Sequence, residues 1–212
     1  MGDAKTVSRT RRPASRPDHA QLFEIASEQG GYFTADQARA CGFSRALLAH
    51  HVKSSRFIRV RRGLYRFREY PSSRREHVLA AWLAVGKDVA VVSHESALDL
   101  LDLSDVIPDA VHLTVPRSRR NLPSIPGVKI HTTTRPLRSE DLVVRNGMAT
   151  TSPTRSILDA AEVGTAPEQI EMAIIQAIER GLATAQQLRR DAGERGQRVA
   201  ALIEEALGKV QQ

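Results

Sequence analysis

The stretch "FIRVRRGLYRFRE", residues 57–69, decides how the first third of this chain is read. Five arginines fall between Arg59 and Arg68, interleaved with Ile58, Val60, Leu64, Tyr65 and Phe67. Alternation of this kind marks strands that bury one face. Residues 57–62 and 64–68 predict a two-stranded hairpin joined at Arg62–Gly63. Ile58, Val60, Tyr65 and Phe67 are expected to face inward, with Arg59, Arg61, Arg66 and Arg68 outward. An arginine-coated face repels itself unless an anion neutralises it, so the pattern asks for a polyanionic partner.

N-terminal to the hairpin, polar caps and apolar stripes predict three short helices. Asp18 caps the first, which runs to about Glu28 with Leu22, Phe23, Ile25 and Ala26 buried and stops at Gly30–Gly31. Thr34 caps "ADQARAC", Gly42–Phe43 makes a tight turn, and Ser44 caps "RALLAHHVK". Helices separated by a turn of three to four residues form a helix-turn-helix, and the hairpin supplies its wing. At 100° per residue, Leu47, Leu48, His51 and Val52 share one side of the third helix. Arg45, Ala46, Ala49, His50 and Lys53 share the other. Small alanines let such a helix sit deep in a major groove, where Arg and Lys favour guanine edges and His donates or accepts. A solvated helix face is the competing reading of Arg45 and Lys53; the adjacent wing favours DNA. The candidate DNA-contacting residues are Ser44, Arg45, His50, Lys53, Arg59, Arg61, Arg62 and Arg66. Residues 1–17, with Lys5, Arg9, Arg11, Arg12, Arg16, Pro13 and Pro17, predict a disordered basic arm.

The charge is distributed to match. The chain of 212 residues carries a net +7, but residues 1–70 hold 14 Lys and Arg against 6 Asp and Glu, while residues 71–212 hold 17 against 18. The basic excess belongs to the first third alone, as expected of a small nucleic-acid-binding module on a near-neutral body. Aromatics make up 4% of residues, so cores built mainly from Leu, Ile, Val and Ala are expected. No apolar run approaches the ~18 residues a membrane span needs. The first twenty residues have no apolar segment and are not expected to act as a secretory signal. Cys41 is the single cysteine. It rules out a disulfide within the chain and a cysteine-rich zinc site, and the expected location is the cytoplasm.

From residue 71 the character changes. "RREHVLAAWLAVG" predicts a helix with Val78, Ala81, Trp82 and Val85 inside. Residues 89–93, 110–116, 127–134 and 141–150 read as strands, the last turning at Asn146–Gly147. Ser93 is expected to cap a helix over "HESALDLLDL", and further helices are expected from Ser152–Pro153 and from Thr165–Pro167. A short piece follows Thr184, and a closing helix spans 193–207. The fold class is α+β: a winged helix-turn-helix over 18–70, then a mixed α/β domain over 71–212 with a helical C-terminal tail.

Catalytic chemistry has no recognisable carrier. His50–His51, His94–Glu95, His112 and His131 are scattered, with no HxxxH or HExxH pair, so no metal site is expected. Neither GxGxxG nor GxxxxGK[ST] occurs, and the kinase signatures HRD and DFG are missing. A magnesium nuclease would want Glu-x-Lys on a strand; before Lys129 the matching position is Gly127. Cys41 reads as small-residue packing. Arg155 and Asp159, four apart on one helix, read as a stabilising pair. Arg117, Arg119 and Arg120 form a second basic cluster on a loop. No catalytic residue and no cofactor is expected.

"GGYFTADQARACGFSRALLAHHVKSSRFIRVRRGLYRF" resembles the N-terminal winged helix of the AbiEi-type antitoxins. "SHESALDLLDL", "VHLTVP", "GVKIH" and "TTSPTRSILDAA" resemble the segments that follow it in that family. The resemblance implies a bacterial abortive-infection toxin–antitoxin pair of type IV-like character, whose partner is a nucleotidyltransferase-like toxin. It implies autorepression of the operon through the winged helix, on double-stranded operator DNA with inverted repeats, and toxin neutralisation through the second domain. Carried over by position, it places DNA contacts on Arg45, His50 and Lys53 and on Arg59, Arg61 and Arg62. Two other readings stay open: an enzyme acting on the toxin by phosphotransfer or on DNA as a nuclease, and a ligand-sensing transcription factor.

Overall fold

Helix caps and turn residues set the order of elements in a computed structural model that describes residues 16–133 and 136–210. The chain divides into two compact units, Met1–Tyr70 and Pro71–Gln212. The expected basic arm falls largely on residues 1–15, outside the described residues.

In the first unit, helix α1 is His19–Ser27, strand β1 Tyr32–Thr34, helix α2 Ala35–Ala40 and helix α3 Arg45–Lys53. Strands β2, Phe57–Arg61, and β3, Leu64–Phe67, complete it. Asp18, Thr34 and Ser44 each accept a hydrogen bond from the backbone N–H three residues on, satisfying donors that helix N-termini leave open. Gln37 returns the bond to the Thr34 N–H at 2.8 Å, closing a capping box. Strand β1 is a correction to the sequence reading. It pairs antiparallel with β3, so the sheet has three strands in the order β1-β3-β2. A strand of three residues is too short for alternation to reveal.

The core of this unit is aromatic, against the expectation of an aliphatic one. All five phenylalanines lie within residues 23–67. Phe33, Phe43 and Phe57 are fully buried with Leu22, Ala26, Ala38 and Leu48. Phe33 meets Phe57 edge-on with ring centroids 4.9 Å apart, and Phe57 meets Phe67 at the same spacing. Phe23, expected in the buried stripe of α1, is 50% exposed and touches only the Phe67 edge among the described rings.

The second unit holds a five-stranded mixed sheet. Its strands are β4 Val91–Val92, β5 Val111–Pro116, β6 Val128–Thr133, β7 Leu142–Arg145 and β8 Met148–Thr151. Their order is β6-β5-β4-β8-β7, with β5–β6 and β4–β8 parallel and the other pairs antiparallel. Asn146 and Gly147 both have positive φ, 50° and 75°, the condition of a two-residue hairpin turn, and they join β7 to β8 as expected. Helices α4 Glu76–Val85 and α5 His94–Leu100 flank the first strands. Helices α6 Pro153–Val163, α7 Pro167–Glu179, α8 Ala185–Gly193 and α9 Gln197–Val210 follow the sheet. Helix α8 is longer than the short piece expected, and it ends at Gly193, so the closing helix starts later than predicted. The helical layer buries Leu98, Leu103, Ile157, Leu158, Ile170, Ile174, Leu188, Ile203 and Leu207 in one aliphatic cluster.

Arg155 and Asp159 do pair, but deep in the fold. Arg155 Nε lies 2.9 Å from Asp159 Oδ1, and Arg195 donates to the same oxygen at 2.7 Å. One buried carboxylate thus ties α6 to the turn between α8 and α9.

Candidate nucleic-acid interface and a buried histidine cluster

The turn Cys41–Ser44 separates α2 from α3, giving the helix-turn-helix spacing. Ser44, Arg45, Ala46, Ala49, His50 and Lys53 are exposed along one face of α3, while Leu48 and His51 are buried on the other. The helical arc read from the sequence is therefore the one the fold presents. His51 packs among Phe43, Phe57 and His19, and neither of its ring nitrogens has a hydrogen-bond partner among the described residues. Burial first, then His19, Arg56 and His50, hold its pKa below the ordinary imidazole value.

The wing is fastened to this helix pair at both ends. The Arg56 N–H donates to the His51 carbonyl at 3.0 Å, and Arg68 Nε donates to the Ser55 carbonyl at 2.7 Å. At the tip, the Ala35 N–H donates to the Gly63 carbonyl at 2.8 Å.

The arginines do not share one face, and this corrects the sequence reading. Cross-strand partners lie on the same side of a sheet. Phe57 pairs with Phe67 and Arg59 with Tyr65, whereas Ile58 pairs with Arg66. Phe57 therefore docks on the helices, and Ile58 and Val60 are only half-buried. Arg59 stays exposed on the side of Tyr65. A register shift between Arg59 and Arg61 sets Arg61, half-buried, opposite Leu64. Arg66 is 7% exposed, donates to the Tyr70 carbonyl at 2.7 Å and lies 5.6 Å from the Tyr32 ring centroid. Its expected place on an outward face is overturned, because a backbone acceptor and an aromatic face are within its reach. Arg62 is exposed beside the tip, and Arg68 is exposed at the base.

The cations that remain outward still form an unusual surface. Between Asp36 and Glu69 the chain has nine Lys and Arg and no Asp or Glu. Arg45, Lys53, Arg59 and Arg62 take part in no ion pair among the described residues. In the second unit, Arg117, Arg119 and Arg120 are exposed on a 3₁₀ turn after β5.

The second unit also gathers what the sequence separates. His94 opens α5, His112 lies on β5 and His131 on β6; one nitrogen from each falls within 4.8 Å of the others. The parallel register β5–β6 sets His131 beside Thr114, two residues from His112. The His94 and His131 rings stack with centroids 3.6 Å apart, and His131 Nε2 stands 3.3 Å from His112 Nδ1. His94 Nδ1 lies 2.9 Å from Ser93 Oγ, which accepts from Thr114 Oγ1 at 2.8 Å. Burial drives the imidazoles toward the neutral form: His94 down to about 2, His131 down to about 4, and His112 lower as well. A cavity of about 290 Å³ adjoins His94 and His131 and is also lined by Thr114, Arg155, Asp159 and Arg195. The histidines lie 18 and 19 residues apart on three elements, so no local spacing could announce them.

Residues 20–68, from α1 to the end of the wing, match the family described as transcriptional regulator, AbiEi antitoxin. The resemblance drawn from the sequence is borne out over this span. Over that span the chain is similar to the winged helix of the AbiEi-type regulators, and the whole has an α+β fold. It is also similar to the crystal structure of the RV2827C protein from Mycobacterium tuberculosis, over 87% of this chain and 75% of that one, with a TM-score of 0.58 and 16% identity. Likeness at that identity is one of fold. No curated protein matches the chain. Among the described residues no helix is long and apolar enough to cross a membrane.

Proposed function

We propose that this protein is the antitoxin of a bacterial toxin–antitoxin pair and represses its own operon. Residues 18–70 bind operator DNA, with α3 in the major groove and the wing on the backbone. Residues 71–212 counter a nucleotidyltransferase-like toxin in the cytoplasm. The observation that carries the DNA-binding half is the run of nine cations without a carboxylate between Asp36 and Glu69, from which Arg45, Lys53, Arg59 and Arg62 stand exposed and outside ion pairs. Such a surface is neutralised by phosphates, whose released counterions supply the affinity. Arg45 and His50 are the base-reading candidates, since they flank Ala46 and Ala49 on the exposed arc. Lys53, Arg59, Arg61 and Arg62 are assigned to phosphates, and Ser44 contributes its hydroxyl at the helix start. Arg66 leaves the list because it is buried. One winged helix reads one half-site, so the operator is an inverted repeat. The protein acts by binding rather than by catalysis, in keeping with a family of transcriptional regulators.

The toxin-directed half rests on the family resemblance. Both halves are tested together by a reporter driven by the protein's own upstream DNA, in cells that also express the neighbouring toxin. The double variant Arg45→Ala, Lys53→Ala is expected to lose repression and keep toxin rescue. Undiminished repression by that variant contradicts the DNA-binding assignment. Loss of both activities contradicts the division of labour between the two units.

A further inference from the structure

We propose that His94, His112 and His131 form a binding site for one divalent transition-metal ion, zinc by ligand type, with a fourth position facing the adjoining cavity. Three imidazoles with one coordination position left for water are an established zinc donor set.

The spacing fits. In a tetrahedral zinc site with Zn–N bonds of about 2.05 Å, ligand nitrogens lie about 3.3 Å apart. His131 Nε2 and His112 Nδ1 are 3.3 Å apart already. The third nitrogen lies within 4.8 Å of both, so closing the set takes a turn of the His94 ring out of its stack on His131.

The surroundings fit as well. A ligating histidine usually gives its second ring N–H to a hydroxyl, carbonyl or carboxylate, which fixes its orientation. Ser93 Oγ stands at hydrogen-bond distance from His94 Nδ1, and Thr114 orients that hydroxyl, which leaves Nε2 as the nitrogen His94 has to offer. His112 Nε2 is buried without a hydrogen-bond partner among the described residues, and Asp109 Oδ1 lies 3.9 Å away. A metal on Nδ1 makes that Nε2 an obligatory N–H, aimed at a carboxylate. His94 adopts a left-handed backbone, φ 54°, a conformation that costs free energy and gathers at functional sites. The cavity of about 290 Å³ beside His94 and His131 offers an entry path and room for a water on the fourth position.

The test uses the full chain, stripped with a chelator and dialysed against zinc and, separately, cobalt. Expected are one equivalent of bound metal by elemental analysis, the visible absorption of tetrahedral cobalt, and a rise in Tm with free zinc. His131→Asn, on an accessible strand, should lower zinc affinity by about 100-fold or more and abolish the cobalt spectrum. His112→Gln is the second variant, should the first not fold. The control His77→Ala removes an exposed histidine of the same unit outside the cluster and should bind as wild type. Absence of stoichiometric binding, or binding lost in the control and kept in His131→Asn, overturns the proposal and leaves the three rings a neutral packed cluster.

Discussion

Arg66 points its guanidinium at the Tyr70 carbonyl, 2.7 Å away, beneath a sheet whose other arginines reach solvent. An arginine so placed holds the segment after β3 against the wing instead of meeting DNA. Arg66→Ala removes a buried charged donor and the stem that packs beside Tyr32, and is expected to cost about 2–3 kcal/mol of stability. Urea unfolding measures the loss. DNA affinity of the folded variant should stay within about twofold of wild type; a fall matching that of Arg59→Ala would return Arg66 to the interface.

Gly31 makes the same corner rigid. Its φ is +85°, and a Cβ placed on it would lie 2.4 Å from Tyr70 Cγ. Tyr70 is itself fixed by its hydroxyl, which donates to the Ser27 carbonyl at 3.1 Å. Gly31→Ala therefore meets backbone strain and a ring that has nowhere to go, and about 2–4 kcal/mol of destabilisation is expected. Thermal unfolding of the variant at wild-type Tm contradicts the packing described.

His51 gives the first unit a pH dependence. Unfolded, an imidazole titrates near 6.5; folded, burial and its cationic neighbours hold it lower. The folded state therefore excludes a proton that the unfolded state binds. The contribution to stability is complete above pH 6.5 and is lost as the pH falls from there toward the folded value. His51→Phe keeps the ring among Phe43 and Phe57 and removes the titration. Its stability should decline less between pH 7 and 5 than that of wild type, the remaining slope coming from His94, His112 and His131. Parallel pH profiles for the two proteins would rule out the assignment.

Asp159 is the ionic centre of the second unit. Its side chain is 5% exposed, with Arg155 and Arg195 both donating to Oδ1. Asp159→Asn preserves shape and removes the carboxylate the two guanidiniums share, leaving Arg195 to Glu162 and Arg155 to the more distant Asp141, at a cost of about 3 kcal/mol. A loss below about 1 kcal/mol, read by denaturant unfolding, would mean that water already serves these charges.

Local signals carried well into the structure. The side-chain caps at Asp18, Thr34, Ser44, Ser152 and Thr184 are formed, and the Asn146–Gly147 turn joins the strands it was read to join; Ser93, read as a cap, makes no cap bond and turns its hydroxyl to His94 and Thr114. The α3 arc followed because one period and one buried side fix every side chain on a helix. The wing misled because alternation gives two parities. Phe57, left out of the alternation, occupies the buried side and sends Ile58 to the other. The bulge before Arg61 then breaks the period, and the fate of Arg66 depended on Tyr70, which no strand pattern includes. The histidine cluster depends on the β5–β6 register and on the docking of α5, both long-range facts. The aromatic core was hidden by averaging: a 4% aromatic content is low for the whole chain, yet eight of its nine aromatic residues fall between positions 23 and 70.

The most direct test of the account is the salt dependence of binding to the protein's own upstream DNA, for wild type and for Arg59→Ala, Arg62→Ala. Wild-type affinity should fall steeply and log-linearly with salt, and the double variant should flatten the slope by about two ions without changing which sequence is preferred. An affinity indifferent to salt, or a slope that the two substitutions leave intact, would contradict the assignment of the wing to DNA.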